Sequence, residues 1–270
     1  MAITLWRSVL ASLLLLPLST AAQPSQIVLA PKPEIRRAKV TDYKDIARIT
    51  VAAFRESPHF TYLHQFFDQY PNDTYVCFEE EAYVGLQHPR VVGHIATVPA
   101  KEPPHERLAV SAGLWVLPEW MDSDPSAASQ TRRWSPMVSF LHGLRNECKE
   151  RDINVTRALD WQPQWEVADK WLEDAYPEDE QLYLASLATL PDYQGHDYAG
   201  YVVREALREF KEFPEDGLPG DLYATLIATT AGEPLYFETG FQSLKNVTID
   251  AVDKDESFRF DIMSLRVRHG

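Results

Sequence analysis

The stretch best equipped for chemistry is residues 182–211, LYLASLATLPDYQGHDYAGYVVREALREFK. Leu182 to Leu190 is an apolar run that predicts a buried strand. Pro191 ends it, and from about Tyr198 the apolar residues recur at helical spacing. A strand, a polar turn and a helix start aim several backbone N–H groups at one spot, where the positive end of the helix dipole favours an anion. The chemistry expected there is the seating of a phosphate. Such a junction with one or two glycines is also ordinary α/β connectivity, so the rest of the chain must decide. No Ser or Cys in a strained elbow and no Cys–His arrangement offers a nucleophile. With only Cys77 and Cys148 there is no cysteine framework for zinc, and no metal site is expected.

The elements that must position this stretch can be read along the chain. Residues 34–40 alternate enough for a first strand. Residues 42–54 follow with Ile46, Ile49, Ala53 and Phe54 at helical spacing, and Ser57-Pro58 restarts a helix carrying Phe60, Leu63 and Phe67 on one face. Residues 75–87 are ambiguous between helix and strand. Arg90–Val98 and Leu108–Val116 are β-branched runs across a Pro-Pro-His-Glu turn and predict an antiparallel pair. Residues 118–180 change in texture and are taken as a helical insertion, with helical patterns at about 135–150 and 164–174. Its tryptophans Trp134, Trp165 and Trp171 are expected to glue it to the body, with a lid over the site as the alternative, and His142 to be a core histidine. After the central stretch come a Pro/Gly break at 214–220, a strand at 222–228, a short helix at 232–239 capped by Gly240, and a terminal strand pair at 241–252 and 258–267.

Composition bounds the function. The 270 residues are 45% hydrophobic and 11% aromatic, ample for a core. A net charge of −14, with no basic stripe, argues against nucleic-acid binding. Residues 1–22 have the form of a secretory signal: one cation, an apolar run too short to span a membrane, and small residues before Gln23. Three of the four asparagines head sequons, at Asn72, Asn154 and Asn246, two of which are expected in or beside strands. The two cysteines are expected to be buried free thiols, with a single bridge as the alternative.

Two motifs carry a resemblance. Thr189-Leu190-Pro191 leads into Gln194-Gly195-His196-Asp197-Tyr198-Ala199, and Leu235-Tyr236 is followed by Gly240-Phe241. In their order and separation, and in the elements around them, they resemble the Gcn5-related N-acetyltransferase (GNAT) superfamily over most of residues 34–267. The resemblance implies a mixed α/β fold, a central, mostly antiparallel twisted sheet flanked by helices. It also implies acetyl-CoA as co-substrate. Leu187 and Thr189 on the strand would meet the pantetheine arm, and the loop residues Gln194, Gly195, His196, Asp197, Tyr198, Ala199 and Gly200 would bind the pyrophosphate. Tyr236 falls on the family's phenol, which protonates the departing thiolate.

The resemblance further implies direct acetyl transfer to a small amine in a ternary complex. Where the family has glycine this chain has Asp197, which adds a side chain and a negative charge beside a phosphate seat and should weaken cofactor binding. The alternative, which Asp197 and the secretory form of residues 1–22 both favour because acetyl-CoA is not expected outside the cell, is a GNAT-like module that has lost catalysis and serves binding or regulation. The general base is open among His94, His196, Asp160 and Glu180.

Overall fold

The β-branched runs at 91–99 and 107–116 pair as a hairpin, and the remaining strands assemble around them. In a computed structural model, the described residues are 30–100, 106–118, 121, 148–212, 221–253 and 255–268. The strands are β1 (Glu34–Arg37), β2 (Val91–Pro99), β3 (Arg107–Val116), β4 (Gln181–Thr189), β5 (Leu222–Thr229), β6 (Gln242–Asp250) and β7 (Ser257–Arg268). They form one seven-stranded sheet in the order β1-β2-β3-β4-β5-β7-β6. Every neighbouring pair is antiparallel except β4 and β5.

The helices are α1 (Tyr43–Phe54), α2 (Pro58–Leu63), α3 (Pro71–Gln87), α4 (Val155–Ala175), α5 (Tyr198–Lys211) and α6 (Glu233–Glu238). Helix α5 buries Val203, Ala206, Leu207 and Phe210 along one stripe against Trp115, Leu182, Leu184, Leu226 and Met263. The opposite sheet face is covered by α1 and α3, through Ile46, Ile49 and Ala82 on Ile95, Ala112 and Ala188. Beside them α2 and α4 lay Tyr62, Trp161 and Trp165 on Phe258 and Phe260. Neighbours such as Leu114 and Trp115 fall in clusters on opposite faces, as the two-residue strand period requires. Among the described residues no helix is long and apolar enough to cross a membrane.

Three expectations are corrected. The ambiguous segment 75–87 is helical and belongs to α3, which begins at Pro71; its packing on α1 overrides the β-preference of Thr74, Tyr75 and Val76. The second helix of the insertion begins nine residues early, at Val155, behind the N-cap Asn154, and tolerates Pro163 within it. The cysteines are not free. Cys77 and Cys148 form a disulfide, which closes a 71-residue separation and contributes about 4 kcal/mol by the loop-closure relation.

Polar contacts reinforce that bridge. Arg151 forks onto Asp73 at 2.7 and 2.8 Å, and His64 Nδ1 lies 2.6 Å from Asp152 Oδ2, which also accepts from the Thr74 hydroxyl. Trp161 and Trp165 are buried, as glue between α4 and the sheet. Trp134, His142 and most of the 135–150 pattern lie outside the described residues. Of the sequons, only Asn246 is in a strand; Asn72 opens α3, and Asn154 caps α4.

Candidate active site

Strand β4 pairs with β5 only at Gln181–Tyr223, Leu182–Ala224 and Tyr183–Thr225, and from there the two strands part. On its other side β4 stays in register with β3 through Thr189, with one irregularity that leaves Ala185 unmatched. Leu190 N–H donates to Val110 O at 2.9 Å, and Ala188 O accepts from Ser111 Oγ at 2.9 Å, so these residues turn their backbone groups toward β3. By alternation Leu187 and Thr189 turn theirs toward the parted side. Ala185, Ser186 and Leu187 are half-buried although they lie in a central strand between buried Leu184 and Ala188. Together these features make an opening in the middle of the sheet, lined on one edge by strand backbone.

The loop continues directly from that edge. Pro191 starts a short turn to Tyr193, and Gln194 returns its side-chain amide to Thr189 O at 3.1 Å. Gly195 has φ 73° and Asp197 φ 60°, both left-handed. At 195 a Cβ would meet nothing within 4 Å, so conformation and not space calls for glycine. Helix α5 starts at Tyr198, and its first backbone bond is Tyr201 N–H to Asp197 O. The earlier amides, of Tyr198, Ala199 and Gly200, are those an α-helix leaves without internal partners. Asp197 does not cap them; its carboxylate pairs with Arg204. The side chain of Tyr198 is buried and donates to Pro31 O at 2.9 Å, so this residue offers the loop its backbone alone, while His196 is exposed.

Tyr236 lies in α6 and joins the apolar cluster of Leu184, Leu187, Val203, Leu226 and Ala228, on the α5 side of the opening. Its ring meets Phe241 edge-on at 5.7 Å. A Cβ on Gly232 would come within 3.1 Å of the Tyr236 ring, so the glycine before α6 permits that approach. Burial pushes the phenol pKa up, which keeps it a proton donor at neutral pH.

Among the described residues, a mostly antiparallel sheet has one parallel pair that splays beside a Pro-led glycine loop, with a tyrosine from the next helix on the same side. This arrangement is similar to that of the Gcn5-related N-acetyltransferases. No family model matches the chain. An "Acetyltransferase" of Stachybotrys chartarum (strain CBS 109288 / IBT 7711) is 26% identical over 227 residues, covering 83% of this chain and 88% of the relative. Among solved structures, a histone acetyltransferase HPA2 and related acetyltransferase from Corynebacterium glutamicum is similar at 17% identity. It covers 86% of this chain and 95% of its own, with TM-score 0.47. Arabidopsis thaliana NAA60 in complex with acetyl-CoA is similar at 11% identity, covering 87% and 98%, with TM-score 0.45. PaiA N-acetyltransferase from Thermoplasma acidophilum in complex with coenzyme A gives 12%, 87%, 99% and 0.45 in the same terms.

The face of the sheet opposite α5 is the one that α1 to α4 cover. Of the four base candidates only Asp160, on α4, belongs to this side of the sheet. His94 on β2 is 1% exposed and lies 3.1 Å from Glu209 of α5. His196 is on the loop, Asp160 on α4 accepts from Gln164 at 3.0 Å, and Glu180 precedes the far end of β4. His59, which sequence reasoning missed, is on this face. Its half-buried ring meets Phe54 and Phe260 edge-on at 5.8 Å each, and Phe260 is the register partner of Thr229 at the end of β5. Burial, with the neighbouring His64, holds its pKa down at about 4, so the imidazole is neutral at pH 7. The one signal was its place just inside the Ser57-Pro58 helix restart. Among the described residues no group of three His, Cys, Asp or Glu could hold a metal ion.

Proposed function

We propose that the protein is an acetyl-CoA-dependent N-acetyltransferase that passes the acetyl group directly to a small amine in a ternary complex. The observation that carries this reading is the opening between β4 and β5, continuous with the amides of residues 195–200. When bound, acetyl-CoA supplies an acetyl group activated as a thioester. The amides at the start of α5 would take the pyrophosphate, and the outward backbone of Leu187 and Thr189 would pair with the amides of the pantetheine arm as an added strand. Both cysteines are tied up in the disulfide, and in this reading the chain's part is to hold two reactants together and to manage protons. As the new C–N bond forms and the C–S bond breaks, the Tyr236 hydroxyl would give its proton to the departing sulfur, while the proton shed by the amine nitrogen would leave to solvent, from which the phenol would be restored. The net charge of −14 favours a cationic amine in the vicinity.

The reading of a remnant module that only binds rested on Asp197 and on the secretory signal; the objection from Asp197 is the one the geometry of the loop bears on. The pairing of Asp197 with Arg204 removes much of that objection. A panel of small amines assayed for acetyl-CoA-dependent thiol release tests the enzyme reading. Turnover with intersecting double-reciprocal lines is expected; no turnover with any amine, or parallel lines, would count against direct transfer.

We also propose entry into the secretory pathway through residues 1–22. The Cys77–Cys148 disulfide supports an oxidising compartment, and Asn72 and Asn246 are exposed, Asn246 Oδ1 accepting from Arg259 at 2.9 Å, while the half-buried Asn154 bonds Gln65 and the Arg157 amide. A glycosidase-sensitive mass shift is expected; an unprocessed N-terminus starting at Met1 would contradict it.

A further inference from the structure

An aspartate that precedes a helix ordinarily accepts hydrogen bonds from the first-turn amides, which in this loop would occupy the donors and set a negative charge against any phosphate. Asp197 does otherwise. Its backbone is left-handed (φ 60°, ψ 18°) and its side chain makes no capping bond. The carboxylate lies over Gly200, where a Cβ would collide with Oδ1 and come 2.9 Å from Arg204 Nη1. Arg204 Nη2 donates to Asp197 Oδ2, and the guanidinium also lies over the Tyr201 ring at 5.1 Å, which fixes it on that side of α5.

We infer that Arg204 is a positioning residue for the cofactor: it draws the Asp197 carboxylate across Gly200 and off the first-turn amides, leaving them to the pyrophosphate. The inference rests on the cofactor reading above. It explains why a negative residue is tolerated in this loop. The left-handed backbone swings the side chain outward, Gly200 makes room for it, and Arg204 neutralises it. The three residues, 197, 200 and 204, lie along one face of the helix at spacings of three and four.

Calorimetric titration with acetyl-CoA of the protein and its Arg204→Gln, Asp197→Asn and Asp197→Asn/Arg204→Gln variants tests this. At low salt Arg204→Gln should weaken binding about 5–20-fold, in the range of one charge acting at a helix N-terminus. The double variant should return to within about threefold of the unmodified protein, a rescue that a merely structural role for Arg204 would not produce. High salt should shrink the defect. If Arg204→Gln does not fold by thermal denaturation, Gly200→Ala, which displaces the same carboxylate, should weaken binding in its place. Unchanged affinity in the folded single variant, or no rescue in the double, overturns the inference while leaving the cofactor reading intact. Binding that appears only in Asp197→Asn would show that the carboxylate blocks the seat despite Arg204, and overturns it equally. No binding by any of the proteins at millimolar acetyl-CoA overturns both.

Discussion

Tyr183 and Thr225 face each other as the last register pair of β4 with β5, and beyond them two adjacent strands of one sheet are no longer joined. The parted edge ends in the loop at 190–197, so an extended ligand lying along β4 would run into the start of α5. Tyr236 flanks that course from the α5 side.

Tyr236→Phe keeps the ring in its apolar cluster and removes only the hydroxyl. Turnover should fall about 10²-fold or more, the usual worth of a positioned acid, while acetyl-CoA affinity changes little. Steady-state kinetics beside titration checks this, and an unchanged kcat excludes the acid role.

Gly195→Ala puts a side chain on a backbone with φ 73° in open space. It should cost about 1 kcal/mol of stability from the left-handed conformation, together with a measurable loss of acetyl-CoA affinity as the loop shifts. Denaturant unfolding and titration of the same sample read the two effects.

Replacing Cys77 and Cys148 by serine should cost about 4 kcal/mol in chemical denaturation. Trp165→Ala should cost about 3–5 kcal/mol, as removal of a buried indole against Phe260. If α4 instead acted as a mobile lid, the tryptophan variant would alter KM for the amine with little effect on stability.

Stability should vary with pH through two groups of opposite sign. Burial raises the Glu81 carboxyl to about 8 from its ordinary 4.5. The folded state therefore keeps a proton that the unfolded chain releases, and this contribution is full below about pH 4.5 and lost as pH rises through 8. His59 is held down at about 4 from 6.5, so its contribution is full above pH 6.5 and lost as pH falls toward 4. Glu81→Gln should be the more stable protein at pH 8, by on the order of a few kcal/mol, and should match the parent near pH 4.5. His59→Gln should flatten the acid side. Thermal denaturation across that range checks both.

The elements carrying local signals were legible in the chain: the apolar run 182–190 closed by Pro191, the helix after Asp197, the hairpin of β2 and β3, and Gly240 with φ 99° behind α6. What depends on distant partners was not. The disulfide follows from the seating of residues 148–152 on α3 through Asp73 and Thr74, which no spacing announces. His59 acquires its setting from Phe260 on the last strand, and the Asp197 carboxylate finds its partner only once α5 places Arg204 two turns on. The parting of β4 from β5 is a property of strand pairing across a long crossover, invisible in either strand alone.

Hydrogen exchange of the protein with and without acetyl-CoA tests the central claim most directly, because it reads where the ligand sits. Slowed exchange is expected in β4 beyond Tyr183, at the outward amides of Leu187 and Thr189, and through residues 194–200, with β2 and β3 unchanged. Binding without protection there, or protection confined to another part of the sheet, would contradict it.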